Sequence, residues 1–306
     1  MATSTRESGS RGGARSSLSS GRSISERYGR YWYKFRRNKM SIVGLAAIIG
    51  IILVALLAPW LSPFPSSAGL YVNFAAAGQP PTSVHVFGTD QIGRDILSRI
   101  MFGFRYSLML MVVVLSISVA PGVVLGLIAG YYNGRRISTF IMRLADVFVA
   151  VPPLLLALSV ASVLTPTAIN AMLAVSLAWW PWYTRLVYSS ASSIRNEDFV
   201  RAAELVGASR WHVMFKEILP NTLGSILTKV TLDCGWVILI GASLSYVGLG
   251  AQPPTPDLGT MIAEGSKYLP AEWWISLFPA FAIVIVILGF NLLGDGINDM
   301  FSSGIS

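Results

Sequence analysis

Phe199-Val200-Arg201-Ala202-Ala203-Glu204-Leu205-Val206-Gly207-Ala208-Ser209-Arg210 opens a run that continues through Trp211–Glu217 to Ile218-Leu219-Pro220-Asn221. The run lies in a polar segment, 188–222, between two apolar blocks. It reads as a short Ala-rich helix, a break at Gly207 and a second short helix starting near Ser209. Small side chains at Ala202 and Ala203 let a partner's surface approach the backbone. Gly207 tolerates φ > 0 where the chain turns, and Pro220 suits the first turn of a following helix, where its missing N–H costs nothing. Spacing alone leaves two readings open: a docking segment, or an ordinary amphipathic hairpin joining two spans.

The blocks on either side settle the fold class. Hydrophobic residues make up 53% of the 306, charged residues 12%, and mean hydropathy is +0.60. A soluble domain carries roughly 25% charge, so this composition excludes one. Six apolar blocks approach or exceed the ~20 residues that cross a bilayer: Ser41–Leu61, Ser107–Gly130, Phe140–Leu164, Ala171–Val187, Leu223–Val247 and Trp273–Leu293. The chain is therefore expected to be an all-α polytopic membrane protein of about six transmembrane helices. Span 1 exceeds a signal-peptide core and is followed by no convincing cleavage site, so it is expected to stay as an anchor.

Three divisions follow. Residues 1–27 form a Ser/Gly/Arg-rich tail too poor in apolar groups to fold, expected to be disordered and cytoplasmic. Residues 28–40 place Tyr28, Trp32 and Phe35 on one helical face and Arg30, Lys34 and Arg37 on another, the pattern of an interfacial helix. Residues 41–306 form the transmembrane domain. With an internal N-terminus, Lys and Arg number ten in 1–40, three in 131–143 and five in 185–222, against three in 62–106 and one in 248–272. That excess of 18 over 4 puts both termini in the cytoplasm.

Enzyme signatures are missing. No GxxxxGK[ST] phosphate loop occurs, so ATP is not bound by that route. There is no HExxH, and His85 and His212 fall on opposite predicted sides. The single Cys234 excludes a multi-cysteine metal site. No catalytic, cofactor-binding or metal-ligating residue is expected. Asp146 and Asp233 are acids inside predicted spans and so functional candidates by default. Each has a cation at helical spacing, Arg143 at i−3 and Lys229 at i−4, which equally fits helix packing. They leave two alternatives to a plain permease: a proton-coupled secondary transporter using Asp146 and Asp233, or a membrane hydrolase.

The segment is similar to the EAA loop of ABC importer permeases, EAA-x3-G-x9-I-x-LP. Ala202, Ala203, Gly207, Leu219 and Pro220 fall in register. Arg201 stands where the pattern has Glu, Glu217 takes its Ile position, and Glu204 lies one turn on. Phe35–Lys39, Gly88-Thr89-Asp90 with Gly93-Arg94-Asp95 and Ser98-Arg99, Trp180-Pro181 with Arg185–Val187, Leu244–Pro254 and Phe290–Gly296 extend the likeness. Over about residues 30–300 the chain resembles the C-type permease of dipeptide and oligopeptide importers.

The resemblance implies a type I importer fold in a bacterial or archaeal cytoplasmic membrane. It implies a heterodimer with a B-type permease, two ATPase subunits and an extracytoplasmic solute-binding protein. ATP and Mg would be used by those ATPases, with no cofactor on this chain and no nucleic acid as partner. It further implies ATPase coupling through Arg201, Ala202, Ala203, Glu204, Gly207, Leu219 and Pro220. Asp90, Arg94 and Asp95 become an external gate or binding-protein contact, unless they simply satisfy one another in a packed loop. Asp233 with Trp236 and Trp180 would line the pathway and favour a cationic substrate, unless Asp233 only pairs with Lys229 and the tryptophans only pack.

Overall fold

A computed structural model describes residues 38–301 together with Tyr33, Phe35 and Arg36. The tail 1–27 and most of the expected interfacial helix 28–40 lie outside the described residues. Phe35, however, is buried, and its ring lies against Gly296 at the far end of the chain.

Among the described residues the secondary structure is helical apart from one isolated antiparallel bridge, Thr89 to Asp95. Helix α1 is Lys39–Leu61, capped by Asn38, whose side chain accepts from the Met40 amide. Two short 3₁₀ turns, Pro65–Ala68 and Phe74–Ala76, lead to α2, Ile96–Tyr131. Then come α3, Arg136–Val149, and α4, Pro153–Val163. Next are α5, Ala168–Ile194, and the eight-residue α6, Asp198–Leu205. A continuous helix α7 covers Arg210–Tyr246, and α8, Leu258–Ser266, precedes α9, Trp274–Phe301.

The core forms where α2, α5 and α7 meet. Val114, Val175, Tyr183, Val237 and Leu244 are fully buried there, joined by Ile48 of α1, Ala157 of α4 and Phe290 of α9. The most extensive packing is between α2 and α5. Gly122, Gly126 and Gly130 form a stripe along α2 with i, i+4 spacing. A Cβ at these positions would strike Tyr183, Val187 and Ala191 of α5, respectively. Close backbone approach through small residues is how helices associate where lipid offers no hydrophobic drive.

Four helices are long and apolar enough to cross a membrane: α1, α2, α7 and α9. The expected span 140–164 is broken. Its two parts, α3 and α4, meet at 84° around Pro152-Pro153 and pass as a span only together. Proline lacks the N–H and its ring collides with the carbonyl four residues back, so two in succession force the bend. The expected span 171–187 lies in α5, whose 27 residues are long enough but not apolar enough, because Trp179–Arg185 are polar or amphipathic. Twelve of its residues are buried against α2, α4 and α7, so protein shields it. Helix α2 begins eleven residues before its expected span, since the charges of Arg99 and Arg105 end the apolar run in sequence but not the helix.

Candidate functional site

Two clusters sit at opposite ends of α2. At 1.5 Å per residue its 36 residues separate them by about 54 Å.

At the C-terminal end lies the segment 198–220. The break at Gly207 is present, with φ at +87°, a conformation that disfavours any side chain. Helix α7 starts one residue after its cap, Ser209, which accepts from the His212 amide at 3.2 Å. The expected second short helix does not end before Pro220; it runs into the span. A π-helical turn, Val213–Ile218, makes this possible, with the Leu219 amide bonding to the Met214 carbonyl. The wider turn accommodates a proline that supplies no N–H, and Asn221 Nδ2 takes up the Glu217 carbonyl at 2.6 Å.

This end is anchored by two tyrosines at the end of α2, Tyr131 and Tyr132, which carry no signal in the sequence. The Tyr131 hydroxyl donates to Glu204 Oε1 at 2.8 Å, and Arg210 Nη1 donates to the Tyr132 hydroxyl at 3.4 Å. Arg195 stacks over Tyr131, while Arg135 and Arg210 flank Tyr132. Val200, Val213, Met214 and Ile218 are buried beneath. Arg201 and Ala202 are exposed, Ala203 half-buried, Leu219 half-buried and Pro220 exposed. Leu205 and Val206 are 88% and 84% exposed, and Trp211 stacks on Phe215 at the surface. An apolar rim thus surrounds two alanines with accessible backbone.

At the N-terminal end Asp90, Arg94, Asp95 and Arg99 are all buried. Asp90 Oδ1 accepts the amides of Ile92 and Arg94 at 3.1 and 2.9 Å, and Oδ2 accepts Arg94 Nε at 2.6 Å. Arg99 Nε lies 3.8 Å from the same oxygen. Asp95 is not part of this pair. It caps α2 through the Ser98 amide and hydroxyl at 2.8 and 2.7 Å, and its other oxygen meets His85 Nδ1 at 2.9 Å. Asp90 and Arg94 therefore satisfy one another, while Asp95 has a separate set of partners. Glu264 of α8 joins from 170 residues away, 3.4 Å from Arg94. Asp257 caps α8 by accepting the Thr260 amide and hydroxyl at 3.1 and 2.9 Å, and its burial raises the carboxyl above its ordinary range.

Between the two ends, Asp146 pairs with Arg185 of α5 at 2.5 Å, not with Arg143 as helical spacing predicts. Asp233 does bond Lys229, at 2.9 Å, and is 4% exposed. Lys229 also sits near the rings of Trp182 and Tyr183. Trp180 packs edge-on against Phe148, and Trp236 is more than half exposed. Among the described residues no three His, Cys, Asp or Glu are grouped to hold a metal ion.

Residues 122–306 match the family described as binding-protein-dependent transport system inner membrane component, and residues 27–81 match the N-terminal transmembrane domain of oligopeptide transport permease C. The chain is 41% identical over 266 residues to a dipeptide transport system permease protein of Alkalihalophilus pseudofirmus, covering 87% of this chain and 86% of that one. The corresponding protein of Haemophilus influenzae is 38% identical over 275 residues, 88% and 92% of the two chains. A glutathione transport system permease protein of Escherichia coli is 39% identical over 269 residues, 88% of each. These matches support the ABC permease and not the proton-coupled alternative built on Asp146 and Asp233. The chain belongs to the family of binding-protein-dependent transport system inner membrane components, a multi-pass membrane permease.

Proposed function

We propose that this chain is the C-type half of a peptide importer of the bacterial cytoplasmic membrane, with both termini inside. Its partners are a B-type permease, two ATPases that bind and hydrolyse ATP with Mg, and an extracytoplasmic solute-binding protein. The chain itself carries no catalysis. Closure of the ATPase dimer is received by α6 and the start of α7, and the helices rock between inward-open and outward-open states, each favoured by a different ligand state.

The observation that carries this reading is the apolar rim of Leu205, Val206, Trp211 and Phe215 around Ala202, Ala203 and the Gly207 turn. Large exposed apolar side chains grouped on a polar segment mark an interaction surface. In our reading Arg201 supplies the exposed charge at the contact, while Glu204 is engaged by Tyr131 and ties the contact to α2. Leu219 and Pro220, at the π turn, link it to α7. Dipeptides or oligopeptides are the substrate class, by analogy with the dipeptide permeases above. Asp90, Arg94 and Asp95 hold the external mouth in shape. The burial of Asp233 and its bond to Lys229 favour a packing role over lining the pathway, while Trp236 and Trp180 remain nearer that path.

The test is purification of the tagged chain from its native membrane in mild detergent, with partners identified by mass spectrometry and ATPase activity assayed. A second permease and two ATPases should co-purify, with activity lost when Ala202–Gly207 is replaced. A lone, ATPase-silent chain, with no ATPase crosslinked in intact membranes either, would overturn the reading.

A further inference from the structure

Helix α7 carries a stripe that the packing of this chain leaves uncovered. Positions 225, 229, 232, 236, 239, 243 and 246 are spaced alternately four and three residues apart, so they share one face of an unbroken helix. Ser225, Trp236, Leu239 and Tyr246 are exposed, and Leu232 and Ser243 are half-buried. Lys229 keeps 29% of its side chain in the open, while Asp233, which bonds it at 2.9 Å, is 6% exposed. The surface therefore shows the ammonium and hides the carboxylate. Other exposed helix faces differ. From Ile42 to Leu57 of α1, and from Leu277 to Leu288 of α9, every exposed residue is apolar. Those faces suit acyl chains, and a cation does not.

Lys229 also lies deep. Its Nζ is 5.9 Å from the ring centre of Trp182 and 5.7 Å from that of Tyr183. Tyr183 packs on Gly122 of α2, nine residues or about 14 Å inside the end of that helix. A partly exposed lysine at such depth avoids lipid either by reaching back to the interface or by facing water. Held by Asp233 and flanked by two rings, Lys229 does not reach back, so its open side needs water. Its two remaining N–H groups have no acceptor among the described residues. Farther out, the stripe borders a cavity of about 410 Å³, walled by Leu239, Ser243 and Tyr246 with Leu154 and Leu158 of α4 and Ile283 of α9, among others.

We propose that this stripe lines the route of the transported peptide, with Lys229 as its charged point. An ammonium donates and cannot accept, so it offers a passing peptide a contact for carbonyl and carboxylate oxygens, which every peptide carries whatever its side chains. The apolar cavity farther out takes the side chains. The proposal rests on the peptide reading above and adds which face of the chain the solute meets.

The test labels single cysteines in native membranes that hold the assembled transporter, with ATP present. Ser225→Cys and Ser243→Cys lie on the stripe. Leu53→Cys and Ile285→Cys lie on the aliphatic faces, where the native residues are 50% and 52% exposed. The unsubstituted chain, whose Cys234 is buried, gives the background. The probe is a methanethiosulfonate bearing a quaternary ammonium, which stays out of lipid and reacts with thiolate formed in water. Both stripe cysteines should react about tenfold faster than the two controls or more, and their labelling should stop uptake of radiolabelled L-alanyl-L-alanine by vesicles of the same membranes. Stripe cysteines as slow as the controls would place lipid or the second permease on this face and overturn the proposal, as would fast labelling that leaves uptake running. Lys229→Met alone would strand the buried Asp233, so it is combined with Asp233→Asn. The double variant should lower uptake about tenfold, the size of one charged hydrogen bond, with its unfolding midpoint kept. Unchanged uptake would overturn the part given to Lys229. Vesicles of the unaltered protein separate the two layers: no dialanine uptake there removes the peptide reading itself, whereas uptake beside unreactive stripe cysteines removes only this face.

Discussion

The two ends of α2 are built by opposite means. At its N-terminus, charges are buried and fastened: Asp90, Arg94, Arg99 and Asp95 are nearly solvent-free, and Glu264 and His85 close the set. At its C-terminus, charges are exposed and apolar groups stand out in solvent: Leu205, Val206 and Trp211 surround a short helix held by the Tyr131–Glu204 hydrogen bond and the buried Val200. A buried ionic cluster punishes any change that leaves a charge alone, so the first end resists deformation. The second leaves apolar side chains open to solvent, and the proposed ATPase contact rests on them. The glycine stripe between them packs α2 closely against α5.

This contrast can be broken at several points. Asp90→Ala should have the largest effect, because Arg94 and Arg99 would both remain buried without their shared acceptor. A loss of about 3–5 kcal/mol is expected, read as thermal unfolding of the purified complex; an unchanged midpoint would show that the cluster is not a fastening. Gly126→Leu comes next. It forces α5 away from α2 and should destabilise by about 1–3 kcal/mol, with uncoupling of ATPase from uptake as the informative readout. Tyr131→Phe removes one partly buried hydrogen bond and should cost about 0.5–1.5 kcal/mol. If it leaves both stability and coupling untouched, the tyrosine anchor is wrong.

A smaller, pH-dependent effect belongs to Asp257. Burial raises its folded carboxyl above the ordinary 3.8, so the folded state holds the proton more tightly than the unfolded chain does. The stability this contributes is fully present below the unfolded value and is lost as pH rises through the folded one. Asp257→Asn should therefore stabilise the protein relative to wild type near neutral pH, and the gain should vanish toward pH 4. Unfolding midpoints measured across that range check it, and a constant difference at every pH would remove the assignment. Arg201→Ala, at an exposed position, should shift stability by no more than about 0.5 kcal/mol and show itself only in the ATPase-to-uptake ratio.

What the sequence made legible divides along the same line. The turn at Gly207 and the helix start near Ser209 were readable because each is decided within a few residues. The apolar blocks likewise located α1, the end of α7 and the start of α9 closely. The cluster at the other end was only half readable. Asp90 and Arg94 stand four apart and find each other, but Glu264 arrives from another helix, and Asp95 turns away to His85. Local spacing misled at Asp146, whose partner lies 39 residues on, at Arg185, rather than one turn back. The start of α2 was hidden for the same reason: Arg99 ends an apolar run in sequence, and its partners Asp90 and Glu264 come together only in the fold.

The central claim is that α6 and the first turn of α7 receive the stroke of an ATPase. Its most direct test is site-directed crosslinking in native membranes. A cysteine is placed at Ala202, with the buried Cys234 as the only native thiol. Ala202→Cys is expected to crosslink to an ATP-hydrolysing subunit, and the crosslink to stop peptide uptake. A cysteine there that reacts freely with a soluble thiol reagent, yields no crosslinked ATPase and leaves uptake running would contradict it.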